Sequence, residues 1–203
     1  MTEPQWRPDA VRIQASNIRR FMDGVNFRHD TSLDDYAALH DWSVNHSESF
    51  WDELWDFGEV VASGRGERTL VDGEKMPGAT WYPDARLNFA ENLLRRRDDE
   101  LAIVFRGEDQ VELRMTWAQL YELVAGLVQA LKARGVQAGD RVGGYLPNMP
   151  QTIAAMLATV SVGATWSSCS PDFGVQGVVD RFGQIEPKVM ICVDGYYYNG
   201  KVI

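Results

Sequence analysis

Three short strand-like segments, separated by two segments of helical spacing, occupy the second half of this 203-residue chain. The strand-like segments cover residues 141–146, 164–168 and 188–193. Strands that alternate with helices over such short connections pair in parallel, because each helix must carry the chain back across the sheet in a right-handed crossover. The sequence therefore predicts a parallel βαβαβ layer and an α/β fold.

The two helices between these strands have start signals of their own. We expect Asn148 to cap the first helix, with Pro150 in its first turn. Ser170 followed by Pro171 repeats this signal, so we expect the second helix to begin there and to end before Pro187.

A hairpin and a long helix are predicted just before the parallel layer. Two apolar segments, residues 101–105 and 111–115, flank a turn that contains Gly107 and Asp109. Thr116 and Gln119 then match the T-x-x-Q capping box, and the apolar face of the helix that follows runs to Gly135.

The chain divides into a helical N-terminal arm with its connection, residues 1–83, and the α/β domain, residues 84–203. The end of the arm, residues 62–83, is rich in Gly, Pro and charged residues, which indicates an irregular surface connection. We expect arm helices in residues 9–27, ending near Gly24, in residues 31–45, beginning near Ser32 and Asp35, and from Ser49 to a stop at Gly58.

Trp51 and Trp55 share one face of the last arm helix. We interpret them as packing residues that dock the arm onto the α/β domain, because aromatic side chains bury a large area. A stacking site for a base is the alternative.

Composition limits the functions that this chain can have. The formal net charge of −9 argues against a general surface for nucleic acid or an anionic membrane. Cys169 and Cys192 lack the spacing of a zinc site or a disulfide framework, so we expect a cytoplasmic setting. We also expect neither a signal peptide nor a membrane span, since the longest apolar run, near residues 153–166, is too short to cross a bilayer.

One segment is a candidate for binding or chemistry: SSCSPD at residues 167–172, at the carboxyl end of a predicted strand. In open α/β sheets, ligands bind at that edge, where hydroxyls and free N–H groups can contact an anion or a carbonyl oxygen. Cys169 has no histidine in this half of the chain to act as its base, which disfavours a catalytic thiol. An ordinary strand-to-helix turn is the alternative.

Several motifs resemble the early core of the acyl-adenylate-forming enzymes. They are MTWAQL at 115–120, LKARGVQAGDRV at 131–142, YLPN at 145–148 and the stretch 154–164. WYP at 81–83 with LNFAENLL at 87–94 resembles the entry segment of the short-chain acyl-CoA synthetases, and WSSCSPDFG at 166–174 is similar to the branch of that family that acts on acetoacetate. The resemblance covers essentially the whole chain.

The resemblance implies a two-step ligase that uses ATP, CoA and Mg²⁺. Acetoacetate and ATP would give an acyl-adenylate and pyrophosphate, and the CoA thiol would then displace AMP. The phosphate loop, adenine-binding segment, hinge and catalytic lysine of the family are not matched in this chain. We therefore expect an inactive N-terminal portion of a longer enzyme, with no catalytic and no metal-binding residue of its own and the rest of the polypeptide as its partner.

The family resemblance also implies where CoA would lie. Ser167, Ser168 and Cys169 correspond to a turn along the CoA nucleotide, and YNGK at 198–201 occupies the place of an Arg-x-Gly-Arg segment that supplies cations to its phosphates. Lys201 keeps one of those cations, while Tyr198 replaces the first arginine. A loose C-terminal lysine is the alternative reading of Lys201.

Three other functions are compatible with the sequence. One is a short-chain acyl-CoA synthetase for another acid, such as acetate or propionate. The second is a non-catalytic α/β module that binds CoA or a nucleotide. The third is an assembly domain whose aromatic arm meets a protein partner.

Overall fold

The computed structural model describes residues 5–203. The chain divides into two compact units, an N-terminal unit that ends at Arg86 and a C-terminal unit, residues 87–203. In the described part of the chain, no helix combines the length and the apolar character needed to cross a membrane.

Helices dominate the N-terminal unit. They are α1 (Ala10–Gln14), α2 (Asn17–His29), α3 (Tyr36–Asn45) and α4 (Ser47–Phe57), followed by the short antiparallel pair β1 (Leu70–Val71) and β2 (Thr80–Trp81). Helices are confirmed in all three predicted arm segments, and so is Gly58 as the end of α4, but the first segment contains two helices, α1 and α2, with a break at Ala15 and Ser16. The predicted capping arrangement of Ser32 with Asp35 is wrong, because Asp35 itself is the N-cap of α3 and accepts a hydrogen bond from the N–H of Ala38. Two further predicted boundaries are wrong. The helix α2 continues past Gly24 to His29, and α4 begins at Ser47 rather than at Ser49.

An aromatic cluster forms the core of the N-terminal unit. Phe21 meets the rings of Phe50 and Phe57 edge-on, at centroid distances of 5.8 and 5.3 Å. Val25 and Trp42 are buried in the same cluster. Helix α2 passes through Gly24 because Phe21 and Val25, on one face of the helix, bury apolar area that outweighs the preference of glycine for a helix end.

Trp51 and Trp55 pack on the connection within their own unit. The Trp51 ring lies 5.6 Å from the ring of Trp81, and the Trp55 ring lies 4.6 Å from that of Tyr82. The guanidinium of Arg65 lies over the ring of Trp55. These contacts fit a packing role and give the irregular connection an aromatic anchor.

Glu53 is a buried carboxylate on α4. Arg28 Nε donates to it at 2.6 Å, and His29 Nε2 lies 2.9 Å from its other oxygen. Burial alone would raise the pKa of Glu53, but the hydrogen bonds from Arg28 and His29 outweigh burial and lower it. Ionised Glu53 therefore joins α2 to α4.

We expect Glu53→Gln to lower the free energy of unfolding by about 1–3 kcal/mol at neutral pH, because one charged acceptor of two hydrogen bonds is lost. A carboxylate with a lowered pKa stabilises the fold above its ordinary pKa, and this contribution disappears as the pH falls through the lowered value. The difference between wild type and variant should therefore shrink below about pH 4.5. Urea unfolding as a function of pH measures it.

Glu48→Gln is the matched control for this prediction, since Glu48 lies exposed on the same helix. It should leave the unfolding free energy nearly unchanged across the pH range. A Glu53→Gln variant whose deficit is the same at pH 3 and pH 7 would contradict the role of the charge.

The C-terminal unit has a helix, an antiparallel hairpin, a long helix, a parallel layer and a last short hairpin. Its elements are α5 (Phe89–Leu93), β3 (Leu101–Gly107), β4 (Val111–Thr116), α6 (Trp117–Ala133), β5 (Arg141–Tyr145), α7 (Pro150–Ser161), β6 (Thr165–Cys169), α8 (Val175–Ile185), β7 (Val189–Cys192), β8 (Tyr197–Tyr198) and β9 (Lys201–Val202). The predicted hairpin is confirmed as β3–β4, and the capping box of Thr116 and Gln119 starts α6.

The predicted parallel layer is confirmed. Strand β5 lies in the centre, with β6 on one side and β7 on the other, both parallel to it. Helices α6 and α7 contribute to the same buried cluster as Val142 of β5, while Phe182 of α8 lies against Gly143. Side chains of successive strand residues point to opposite faces, so the layer is covered on both.

Both predicted helix starts in the layer are wrong. The N-cap of α7 is Met149 rather than Asn148, and its side chain makes no capping bond, although Pro150 does occupy the first turn. Helix α8 begins at Val175, after Gly174. Ser170 Oγ bonds to Asp172 instead, so its hydroxyl shapes a local turn rather than a helix start.

Candidate functional site

The carboxyl edge of the parallel layer brings three strand ends together. Tyr145 ends β5 and pairs in register with Cys169 of β6 and with Cys192 of β7. In open α/β sheets this edge is the usual place for a ligand, because the loops that leave the strands line a crevice there. Of the site residues predicted from the sequence, Ser167, Ser168 and Cys169 belong to β6 of this layer, and Lys201 follows β7 in the sequence.

Ser167, Ser168 and Cys169 are strand residues of β6 rather than turn residues. Because neighbours in a strand face opposite sides of a sheet, Ser167 and Cys169 share one face and Ser168 occupies the other. Ser168 is exposed, and Cys169 is buried. The structure therefore does not gather the three side chains on one surface, and Ser168 has the most accessible hydroxyl.

Cys169 has the environment of a structural thiol. Burial raises its pKa, and the positive charge of Arg181 opposes this only in part. The three histidines of the chain, His29, His40 and His46, all precede residue 86 and lie in the N-terminal unit. A thiol with a raised pKa is a weaker nucleophile at neutral pH than one with a lowered pKa.

The loop after β6 is held by the central strand. The Tyr145 hydroxyl lies 2.7 Å from the carbonyl oxygen of Pro171 and 2.9 Å from that of Phe173, so it can donate to either. Ser170 Oγ lies 2.8 Å from the Asp172 carboxylate. These bonds fix the path of residues 170–174 beside the β6 edge.

Lys201 lies in the hairpin formed by β8 and β9, where it pairs with Tyr198. The two turn residues, Asn199 and Gly200, have φ angles of 52° and 71°, as a two-residue type I′ turn requires. Lys201 is exposed, and within residues 5–203 its ammonium forms no ion pair. The lysine is therefore an ordered hairpin residue with a charge available to an anion.

One hydrogen bond joins this hairpin to the loop after β6. The Tyr196 hydroxyl lies 3.3 Å from Asp172 Oδ1. Burial, followed by the charge of Asp172, raises the pKa of Tyr196, so the phenol stays protonated and donates to the carboxylate. The structure thus connects the segment that contains Lys201 with the segment that follows Ser168.

A cavity of about 570 Å³ opens beside the last hairpin. Its walls come from the β3–β4 hairpin, the residues that precede and start α7, and the segment before β8. They include Phe105, Glu108, Leu113, Pro147, Met149 and Tyr196. The size suits a small organic molecule. Sequence reasoning missed the cavity because residues up to about a hundred positions apart form it.

Residues 5–203 contain no group of three or more His, Cys, Asp and Glu side chains placed to hold a metal ion.

Two family models match this chain. The model described as "AMP-binding enzyme" matches residues 89–201, and the one described as "Acetyl-coenzyme A synthetase N-terminus" matches residues 36–93. The first match covers more than half of the chain and contains the whole parallel layer, the β3–β4 hairpin and Lys201.

Individual proteins show the same relationship. The acetoacetyl-coenzyme A synthetase of Rhizobium meliloti is 54% identical over 98% of this chain, and the malonamoyl-CoA synthetase of Penicillium aethiopicum is 36% identical over 97% of it. The solved structure of an acetoacetyl-CoA synthetase from Streptomyces lividans superimposes on 99% of the chain with a TM-score of 0.91 at 45% identity.

This chain spans about 30% of the length of these relatives: 30% and 28% of the two curated proteins and 32% of the solved one. The match runs through both units and includes the motifs that first indicated an adenylate-forming fold. On the extent of the family-model match and the agreement of the fold, the chain belongs to the AMP-binding enzyme family.

Proposed function

We propose that this chain contributes the N-terminal part of an acid–thiol ligase for acetoacetate. In the first step, the acetoacetate carboxylate attacks the α-phosphorus of ATP, giving acetoacetyl-adenylate and pyrophosphate. In the second, the CoA thiol attacks the acyl carbon, loses its proton and displaces AMP, giving acetoacetyl-CoA. The observation that carries this proposal is the 54% identity to an acetoacetyl-coenzyme A synthetase over 98% of the chain.

Within this enzyme, we assign residues of this chain to the CoA nucleotide. The exposed Ser168 hydroxyl can donate to a phosphate or ribose oxygen. Ser167 and Cys169 would border the nucleotide with their backbone, on either side of Ser168 in β6. The Lys201 ammonium would neutralise one phosphate charge. Tyr198 adds no cation, so this segment provides one positive charge where the family motif has two.

ATP and Mg²⁺ belong to the proposal only through the complete enzyme. The described residues lack a metal-ligand cluster, and the chain lacks a match to the family's phosphate loop. We assign ATP binding and the reacting groups to the part of the enzyme beyond the 30% that this chain spans. The enzyme would act in the cytoplasm, where the free thiols of Cys169 and Cys192 remain reduced.

A second substrate candidate comes from the similarity to the malonamoyl-CoA synthetase. Acetoacetate and malonamate are both short carboxylates with a carbonyl group on the β carbon, and they differ in a methyl group against an amino group. The higher identity to the acetoacetyl-coenzyme A synthetase, 54% against 36%, favours acetoacetate. Acetate and propionate lack the β-carbonyl group.

The experiment that tests this function compares the complete enzyme with the 203-residue chain. Pyrophosphate exchange into ATP is followed with acetoacetate, malonamate, acetate or propionate, and thioester formation is followed after addition of CoA. We expect the complete enzyme to prefer acetoacetate over acetate and propionate by at least about tenfold, since a site built to bind a polar group rejects acids that lack it.

We expect the 203-residue chain alone to be inactive in both assays, because it contains none of the family's catalytic motifs. Preference of the complete enzyme for acetate would replace the acetoacetate assignment with the acetate-type alternative. Turnover of ATP by the chain alone would show that the catalytic groups lie within it and would contradict the proposal. Calorimetry that detects CoA binding by an enzyme inactive with every acid would favour the binding-module alternative.

A further inference from the structure

The hairpin that contains Lys201 has little burial of its own. Strands β8 and β9 have two residues each, and all four are exposed. On its inner side the hairpin borders the cavity of about 570 Å³ rather than a packed core. A two-stranded hairpin is only marginally stable without further packing, so contacts from other elements must order it.

The strongest of those contacts comes from Glu108, in the turn between β3 and β4. The N–H of Asn199 donates to Glu108 Oε1 at 2.6 Å, and the N–H of Gly200 donates to Oε2 at 2.7 Å. Each carboxylate oxygen therefore accepts one of two successive backbone N–H groups. Such a pair of N–H groups forms a concave anion site, and bonds from N–H groups to a charged acceptor are stronger than neutral ones.

The second contact is weaker. The Tyr196 hydroxyl reaches Asp172 at 3.3 Å, which is long for a bond between two oxygen atoms. It fastens the base of the hairpin to the loop after β6, whereas Glu108 fastens the tip, next to Lys201. Shorter distances and two bonds instead of one make Glu108 the main constraint on the turn.

We infer that Glu108 is a positioning residue for CoA: it holds the Tyr198–Lys201 turn in one conformation, so that the Lys201 ammonium stays ordered at the phosphate-binding end of the site. This inference rests on the proposed function for its ligand. Glu108 itself repels a phosphate, so its contribution acts through the turn and not through contact with the coenzyme. The carboxylate occupies the backbone anion site, which leaves the lysine side chain as the group that meets the phosphate.

Two measurements on Glu108→Ala test this inference, with Asp109→Asn as the matched control. Asp109 lies next to Glu108 in the same exposed turn, and within residues 5–203 its carboxylate accepts a hydrogen bond only from the neighbouring Gln110 side chain. The rate of hydrogen exchange at the Asn199 and Gly200 amides of the 203-residue chain measures how firmly the turn is held when no ligand is bound. Steady-state kinetics of the complete enzyme measure the KM for CoA.

We expect Glu108→Ala to speed exchange of both amides and to raise the KM for CoA, each by about tenfold, because two charge-assisted hydrogen bonds are lost. The KM for ATP and the rate of pyrophosphate exchange should not change. In a Lys201→Ala background, Glu108→Ala should have no further effect on the KM for CoA, because positioning requires the lysine. Asp109→Asn should match wild type in both measurements.

Unchanged exchange at Asn199 and Gly200 would overturn the inference. Faster exchange with an unchanged KM for CoA, or equal effects of Glu108→Ala with and without Lys201, would also overturn it and leave the proposed ligase activity intact. A complete wild-type enzyme that forms no acetoacetyl-CoA would instead overturn the proposed function, a result that does not depend on the Glu108 variants.

Discussion

Phe182→Ala should lower the stability of the C-terminal unit by about 3–5 kcal/mol, the cost of removing a buried phenyl ring and leaving a cavity. Phe182 is the one residue of α8 that is fully buried, with 6% of its surface exposed. Its ring lies 3.2 Å from the position that a Cβ on Gly143 would occupy, so it packs α8 against the central strand. Native-state hydrogen exchange of the β5 amides measures the change.

Phe173→Ala is the control for this prediction. Phe173 lies just before the start of α8, is 38% exposed, and has its ring against the guanidinium of Arg181. Its removal should cost no more than about 1 kcal/mol. Equal losses of stability for the two variants would mean that burial of the Phe182 ring does not hold α8 on β5.

Gly144→Val should lower the stability of the same unit by about 3 kcal/mol, at the upper end of the cost of overpacking a core. A Cβ on Gly144 would lie 2.5 Å from two carbon atoms of the Trp166 ring. The ring packs against the main buried cluster, and Gly144 itself is buried in the central strand. The added side chain therefore forces the ring or the strands to shift.

The matched control is Gly126→Ala in α6. Gly126 is exposed, and a Cβ there meets no atom within 4 Å. Because alanine favours a helix over glycine, this change should raise stability by about 0.5–1 kcal/mol. Opposite signs for the two glycine substitutions, measured by the same exchange experiment, would confirm that close packing rather than backbone freedom selects Gly144.

Much of the fold could be predicted from the sequence because its elements are periodic. The α/β alternation predicted β5, β6 and β7 and their parallel pairing, and the Thr116 capping box predicted the start of α6. The errors concern local signals that tertiary contacts override. Gly24 did not end its helix because its neighbours are buried, and Ser170 did not start one because its hydroxyl bonds Asp172.

The candidate site was less accessible to prediction. Motif resemblance selected Ser167, Ser168, Cys169 and Lys201, but strand alternation separates the side chains of the first three. Glu108 gave no signal, since its partners at Asn199 and Gly200 lie 91 and 92 residues away. A lone glutamate in a hairpin turn looks like an ordinary solvated residue until the fold places a second turn against it.

The phenol of Tyr145 has a consequence for how this protein can change over evolution. Because the Tyr145 hydroxyl, on the innermost strand, bonds the loop through main-chain carbonyls at Pro171 and Phe173, this attachment does not depend on the side chains at those two positions. Positions 171 and 173 are therefore free to diversify, as long as that hydroxyl persists. Variation in ligand preference can accumulate there without any cost to the architecture beneath.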